Sequence, residues 1–312
     1  MNSHPIQSAV EAYLEERRRL GFDLRIAGTQ LMHFARYADA RGHRGPLTLD
    51  LQLDWARAHG TAPLTWARRL EIVRPFAMYY RQFEPETSVP DATTFGRGHR
   101  RLVPHIYTEQ EIRDLLEEAG RLLPHQGLRP ITYKTLFGLI AITGLRLSEA
   151  LQLHDGDVDL RTGALTVRQT KFRKSRLLPI HPSTVEALDT YRRVRDKAVS
   201  RHPDLPFFVS RAGSPLPSRT VESVFAQLRT RLGWVARGGH PHPRIHDLRH
   251  TFAVRRMQLW EQSDVTIDHG AFWLSTYLGH PLPHHFDQLY AVPLELARLS
   301  KLHTLCFFTG QG

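Results

Sequence analysis

The spacing of the apolar residues is helical along most of the chain and changes character in one stretch. Helical spacing recurs in segments such as "VEAYLEERRRLGF" and "TQLMHFARYADARG", and each of these segments ends at a glycine. Between residues 157 and 180 the period becomes two, β-branched residues accumulate, and "RTG" supplies a turn. The pattern therefore predicts a mainly α fold with a small β-sheet or hairpin.

The length of 312 residues favours two domains. Four helices are predicted before Phe83, and residues 84–105 follow with prolines, glycines and threonines but no periodicity, which is typical of a linker. The next helix begins with a capping pattern, Thr108 followed by Glu111. We therefore predict a helical domain over residues 1–90, a linker over 84–105 and a second domain over 106–312.

The balance of charge points to a polyanionic partner. The formal net charge is +11 and the sequence pI is about 10.2, and nucleic acid is the commonest partner of such a chain. The alternative is a GC-rich genome that favours arginine, since the 42 cations include only five lysines. No apolar run approaches the roughly 18 residues of a membrane span, and no signal peptide is evident. With Cys306 as the single cysteine, a soluble cytoplasmic protein is expected.

The segment "TGLRLSEAL" carries the first candidate functional residue. Gly144 lets the backbone turn, and Arg146 follows in the first turn of a helix with an apolar stripe. An arginine beside a packed surface is costly to bury unless it meets an anion or a carboxylate. Arg146 is therefore a candidate anion ligand, and a structural pairing with Glu149 is the alternative.

The predicted hairpin tip is strongly basic. Five cations and no acid lie between Arg168 and Arg176, which suits contact with phosphates. Two of the five lysines of the chain fall here, and an ammonium group can lose a proton where a guanidinium group cannot. Lys171, at the end of the first strand, is favoured over Lys174 as a proton donor. The alternative is a solvated basic loop.

The segment "HDLRHTFA" places His246 and Arg249 on one face of a helix. Zinc is one explanation for the abundant histidines, but the segment lacks the glutamate of the HExxH pattern and no cysteine is near. We favour binding of an oxyanion or a phosphate, with histidine available for proton transfer. The histidines considered for zinc are His240, His242, His246, His250, His280, His284 and His285.

Together, "TGLRLSEAL", "HDLRHTFA" and "YLGH", followed by Tyr290, resemble the motifs of the tyrosine recombinase (phage integrase) family over essentially the whole chain. The resemblance implies a two-domain architecture, in which residues 1–90 form a helical, SAM-like core-binding domain that binds DNA. Residues 106–312 would then form the catalytic domain.

The resemblance also implies roles for particular residues. Arg146 and Arg249 would hold the scissile phosphate with His280, and Tyr290 would attack it with His246 accepting its proton. Lys171 would protonate the departing 5′ oxygen, and neither a cofactor nor a metal is expected because the cations supply the charge. Further contacts with the DNA backbone are expected from Arg100, Arg101, Arg168, Arg173, Lys174 and Arg176.

The family further implies duplex DNA recombination sites as partners and a homo-tetramer assembled on two sites, while a monomer without DNA is compatible with it. No membrane association is expected. A bacterial, nucleoid-associated protein that serves a mobile element would fit these features.

One segment departs from the family pattern. Tyr290 lies ten residues after His280 rather than the usual nine, and "PLPHHFDQL" lacks the usual run of small residues. The loop could absorb the extra residue; alternatively, the chain is a catalytically inactive DNA-binding protein on the same fold. Tyr277 is the poorer candidate nucleophile because it precedes the histidine. A third interpretation is a type IB topoisomerase-like enzyme that relaxes supercoiled DNA, and the small helical N-terminal domain argues against it.

Overall fold

The chain divides into two compact units, residues 1–101 and residues 102–312. The structure is a computed structural model that describes residues 6–58, 60–96, 98, 102–168, 175–199, 206–261 and 267–279. Each unit has an apolar core of its own. Helices predominate and the strands form one small sheet, so the predicted mainly α fold is confirmed.

The first unit is a bundle of helices whose apolar faces meet in one core. Aromatic rings form its centre: the ring centroids of Phe34 and Trp55 are 5.3 Å apart, and Phe76 packs edge-on against Phe34. Such edge-to-face pairs add to the burial of apolar area. The helices are α1 (Ile6–Arg19), α2 (Arg25–Ala40), α3 (Leu49–Arg57) and α4 (Pro63–Tyr80).

Much of the predicted linker packs onto this bundle. The backbone N–H of Leu47 donates to the hydroxyl of Thr87 at 3.2 Å, and Thr87 is buried. Further along, the ring of Phe95 lies 5.6 Å from that of Trp66. Apolar residues within a segment of linker composition therefore attach residues 84–96 to the first unit.

The second unit is built around a helix that is buried on nearly every side. This helix, α6 (Leu128–Thr143), packs against α5 (Glu109–Gly120), α8 (Pro182–Ala198) and α10 (Ile245–Glu261). Thr108 and Glu111 cap α5 reciprocally, as the sequence predicts. The remaining described helices of this unit are α7 (Leu147–Leu151), α9 (Ser218–Arg231) and α11 (Ile267–Leu278).

The small sheet is antiparallel, and its strands lie in the order β1 (Val158–Asp159), β2 (Ala164–Val167) and β3 (Arg176–Pro179). Leu165 and Leu178 face each other across β2 and β3, and both are buried. Since side chains alternate along a strand, Arg176 lies on the same face of β3 as Leu178, towards the core.

The first residues of the second unit are fixed to helix α10. The backbone N–H of Tyr107 donates to the hydroxyl of Thr251 at 2.9 Å, and the Tyr107 hydroxyl donates to the carbonyl of Arg244 at 3.0 Å. Arg255 donates to the Tyr107 carbonyl, also at 3.0 Å. The start of this unit therefore positions the helix that carries His246 and Arg249.

Within the parts of the chain that the structure describes, no helix combines the length and apolarity needed to cross a membrane.

Candidate active site

The break between α6 and α7 places Arg146. Gly144 ends α6 with a φ of +65°, and a Cβ atom there would lie 2.6 Å from a ring carbon of Phe252. Only glycine combines this left-handed backbone with so close an approach. The chain then turns so that Arg146 is the N-cap of α7, and its backbone N–H donates to Glu149 at 3.0 Å.

Glu149 is the common partner of several arginines. Arg146 Nη1 donates to it at 2.7 Å, and the two Nη atoms of Arg176 donate to its two oxygens at 3.2 and 2.8 Å. Nη1 of Arg249 lies 3.9 Å away. Burial would raise the pKa of Glu149, but the hydrogen bonds from Arg176 and the Arg146 backbone outweigh it and lower this pKa to about 2. The carboxylate is therefore ionised, and the cluster keeps an excess of positive charge.

Arg249 joins two helix ends. Its side chain is 1% exposed, and its Nη1 and Nη2 donate to the carbonyls of Gly144 and Leu278, each at 2.6 Å. These carbonyls close α6 and α11, where the helix dipole is negative and favours a cation. The guanidinium therefore fixes the turn that leads to Arg146 relative to the end of α11.

The end of α11 also contacts Arg146. Gly279 follows the helix with a φ of +67°, and its carbonyl accepts from Arg146 Nη2 at 3.4 Å. A Cβ atom on Gly279 would lie 3.1 Å from Nη1 of Arg176. A glycine at this position therefore allows the backbone to lie directly beside two guanidinium groups.

His246 lies in the first turn of α10. That turn is capped by Asp247, which accepts from the backbone N–H of Arg244 at 2.9 Å and from its Nη2 at 2.7 Å. Protein atoms surround much of the His246 ring, although the residue as a whole remains accessible to solvent. This partial burial, together with Arg249 and Arg244, lowers the pKa of His246 to about 4. The ring is thus neutral at physiological pH and able to accept a proton.

A cleft of about 540 Å³ lies beside Arg146 and His246, and both residues line it. Ser148, Ser218 and Glu222 also line this cleft. Excess guanidinium charge next to a neutral imidazole suits an anionic substrate that gives up or receives a proton during reaction. No group of three or more His, Cys, Asp or Glu side chains suited to a metal ion occurs among the described residues.

The family model described as "Phage integrase family" matches residues 106–262. The protein y4rE of Sinorhizobium fredii, whose name describes it as an integrase/recombinase, is 37% identical over 271 residues, which cover 87% of this chain and 86% of that protein. The chain belongs to the phage integrase family of tyrosine recombinases. It is therefore a site-specific recombinase.

Other relatives of this recombinase include the tyrosine recombinase XerC of Xanthomonas campestris, which is 29% identical over 255 residues, with 79% of this chain and 74% of XerC covered. Among solved structures, XerH bound to its palindromic difH substrate has a TM-score of 0.65 and 18% identity, covering 94% of this chain and 83% of XerH. The Tn1549 transposon integrase in complex with transposon right end DNA has a TM-score of 0.62 and 16% identity, covering 93% of this chain and 99% of that one. These likenesses show that the recombinase shares their fold.

Three of the six predicted catalytic residues are described in the structure. Arg146 and Arg249 meet around Glu149 and the end of α11, and His246 lines the cleft beside Arg146. The other three lie outside the described residues, as do four of the predicted backbone contacts. These residues are Lys171, His280 and Tyr290, and Arg100, Arg101, Arg173 and Lys174.

The two remaining predicted backbone contacts differ from each other. Arg168 has a side chain that is 65% exposed and pairs with the buried carboxylate of Asp157. Arg176 points inward, is 13% exposed and binds Glu149 through both terminal nitrogens. The prediction that grouped both arginines on one exposed tip thus missed the orientation of Arg176, although the alternation of inward and outward side chains along β3 indicates it.

The structure also defines the surroundings of Glu149 and Tyr277. Glu149 enters the sequence prediction only as a structural partner of Arg146; in the structure it is also the partner of Arg176. Tyr277 stacks on Phe252 with ring centroids 5.6 Å apart, and burial raises the pKa of its hydroxyl. Tyr277 is thus a partly buried residue that packs against the apolar core.

Proposed function

We propose that this recombinase cleaves and rejoins duplex DNA through a 3′-phosphotyrosyl intermediate, with neither a metal ion nor a nucleotide cofactor. The observation that carries the proposal is the set of guanidinium groups fixed around Glu149 next to a neutral imidazole. In this proposal, Arg146 and Arg249 hold the non-bridging oxygens of the scissile phosphate, and His280 adds a third donor.

The charge of the cluster supports this assignment. A phosphodiester gains negative charge as it approaches a pentacoordinate transition state, and preorganised donors stabilise that charge most. Arg249 is held by two backbone carbonyls and Arg146 by Glu149, so neither fork has to be ordered when the substrate arrives. Prior ordering of this kind lowers the entropic cost of reaching the transition state.

The chemistry then proceeds by exchange of one ester for another. The phenol oxygen of Tyr290 attacks phosphorus while its proton passes to His246, whose ring is neutral before the reaction. The bond from phosphorus to the 5′ oxygen breaks, and Lys171 protonates that oxygen. The new phosphotyrosyl ester conserves the bond energy, so that attack by a 5′ hydroxyl reverses the sequence and joins the strands.

We further propose that the chain binds duplex DNA with both units and assembles as a tetramer on two recombination sites. XerH and the Tn1549 integrase are both described as bound to DNA, which supports DNA as the partner here. The excess of cations supports it independently. A role in the transfer of a mobile element, on the bacterial nucleoid, completes the proposal.

Trapping the covalent intermediate tests the nucleophile. Duplexes with random sequence on one side of a fixed nick are incubated with the protein, because cleavage near a nick releases a short strand and prevents religation. We expect a protein–DNA adduct that survives denaturation with the wild-type chain, that is absent in Tyr290→Phe, and that persists in the matched control Tyr277→Phe. An adduct that persists in Tyr290→Phe and disappears in Tyr277→Phe would reverse the assignment.

Adduct trapping, together with duplex binding and plasmid relaxation, separates the competing functions. Duplex binding without any adduct would identify a DNA-binding protein that does not cut, the possibility raised by the atypical segment before Tyr290. Relaxation of supercoiled plasmids that lack the selected sequences would favour a type IB topoisomerase-like activity. Sequencing the trapped strands would also reveal the preferred site.

A further inference from the structure

We propose that Arg176 is a positioning residue for Arg146, which acts by holding and neutralising Glu149 rather than by contacting DNA. The proposal rests on the proposed function, in which Arg146 binds the scissile phosphate. It changes the role of a residue that the sequence pattern assigns to the DNA backbone.

The geometry of the contact is bidentate. Nη1 of Arg176 donates to Glu149 Oε1 at 3.2 Å and Nη2 donates to Oε2 at 2.8 Å, so that one flat guanidinium spans both oxygens. The side chains are 13% and 7% exposed. A buried pair in this arrangement fixes the plane of the carboxylate, and Arg146 binds the same Oε1 atom at 2.7 Å.

The end of α11 also lies close to Arg176. The backbone of Gly279 lies so close to its guanidinium that an added Cβ atom would be 3.1 Å from Nη1 and 3.6 Å from Cζ. Arg176 is therefore close to both Glu149 and the end of α11. The carbonyl of Gly279 is also the acceptor for Arg146 Nη2, so both partners of the Arg146 side chain are in contact with Arg176.

The charges explain why a second arginine is needed. A carboxylate that binds Arg146 alone would neutralise it and would compete with a phosphate for the same guanidinium. Arg176 occupies both oxygens of that carboxylate and offsets its charge. Glu149 can then orient Arg146 without cancelling the positive potential that attracts the substrate.

A direct contact with DNA makes different demands on Arg176. Its two terminal nitrogens would have to leave charge-assisted hydrogen bonds to a buried carboxylate, whereas those of Arg249 bind neutral backbone carbonyls. Arg168, at the end of β2, has the exposed side chain that a backbone contact requires. The geometry thus assigns Arg176 to the interior of the site.

The test is a double-mutant cycle between Arg176→Gln and Glu149→Gln, in the full chain and with the trapped-adduct assay under single-turnover conditions. We expect Arg176→Gln to slow adduct formation roughly ten- to hundredfold, the effect of disturbing a charge-assisted hydrogen bond, while leaving the salt dependence of duplex binding unchanged. In the Glu149→Gln background the same change should cost less than about threefold, because the competing carboxylate is gone. An equal loss in both backgrounds, or a weaker Kd with a smaller salt dependence, would overturn the proposal.

Two variants control for trivial causes. Arg193→Gln removes an exposed arginine whose side chain is 74% exposed and paired with Asp189 on α8, so it matches the loss of charge and should leave the rate unchanged. Arg176→Lys keeps the cation but cannot span both oxygens, and an intermediate rate is expected. If Arg176→Gln lowers the melting temperature by more than Arg193→Gln does, Arg176→Lys replaces it in the double-mutant cycle. The effect of Arg176→Lys on the rate is then measured with and without Glu149→Gln.

A phosphate-binding measurement keeps this proposal separate from the recombinase chemistry. Broadening of the ³¹P signal of inorganic phosphate reports its binding to the protein. The share of this broadening that disappears in Arg146→Gln is due to phosphate bound at the site. We expect Arg176→Gln to weaken that part about tenfold only while Glu149 is present. If phosphate binding depends on Arg176 only while Glu149 is present, but the protein forms no adduct, the role of Arg176 stands and the cleavage mechanism is refuted. If an adduct forms but Arg176→Gln has equal effects in both Glu149 backgrounds, the cleavage mechanism stands and the role of Arg176 is refuted.

Discussion

At the scale of single residues, the ionisation of His246 can be tested through stability. Its pKa is lowered to about 4 in the folded chain, against about 6.5 in an unfolded one. Between these values the unfolded chain binds the extra proton, so the free energy of unfolding increases as pH rises from about 4 to 6.5. The lowered pKa of His246 thus reduces the free energy of unfolding progressively as the pH falls through this window. Above the window it has no effect on stability.

We therefore expect His246→Asn to reduce the loss of stability on going from pH 7.5 to pH 5. The difference should be on the order of 1 kcal/mol, since the accessible edge of the ring allows solvent to screen part of the effect. Urea denaturation of both proteins at the two pH values measures it. Equal pH dependence in the two proteins would contradict the lowered pKa.

The same scale shows where prediction from sequence reaches its limit. That Arg146, His246 and Arg249 lie near one another is predictable, because each belongs to a specific motif, whereas their catalytic roles stay a prediction. The inward position of Arg176 follows from alternation along β3, but only once the register of the strand is known. The two carbonyls that hold Arg249 are backbone groups of distant helices, and no residue type encodes such a contact.

At the scale of elements, the junction of α6, α10 and α11 is the most demanding feature of the second unit. Gly144 has a φ of +65°, and a Cβ atom there would lie 2.6 Å from Phe252 of α10 and 2.9 Å from Leu278 of α11. The backbone strain and the overpacking act together in any larger residue. This junction also sets the distance between the turn that carries Arg146 and the end of α11.

Gly144→Ala should therefore lower the free energy of unfolding by about 3 kcal/mol. The matched control is Gly156→Ala, because no atom lies within 4 Å of a Cβ at that position. Chemical denaturation with each variant gives the comparison, and equal stability of the two variants would show that the junction adjusts without cost.

Helices and strands were predictable at this scale because their periodicities are clear. The stop at Gly144, the capping pair at the start of α5 and the small sheet all occur where the sequence indicates them. The packing of residues 84–96 was not predictable, since a composition rich in proline and glycine conceals the few apolar residues, such as Phe95, that bind the bundle. Composition describes the average of a segment, whereas packing depends on single side chains.

At the scale of the whole molecule, the excess of cations is shared, because basic residues outnumber acidic ones both in residues 1–101 and in residues 102–312. A chain that binds duplex DNA through both units should release several counterions from the phosphates. Its affinity is then expected to fall roughly 10³-fold between about 50 and 200 mM salt. Fluorescence anisotropy of a labelled duplex, measured over this range, gives the slope of log K against log salt.

The slope also separates exposed cations from those bound within the site. A cation that contacts a phosphate lowers the slope by about one when it is removed. Arg176→Gln should leave the slope unchanged, because both terminal nitrogens of Arg176 are bound to Glu149 within the protein. Arg168→Gln, which removes an exposed side chain, should reduce the slope if that arginine contacts the backbone. A flat dependence on salt in the wild-type chain would mean that its positive charge does not serve DNA binding, because counterion release accompanies any such contact.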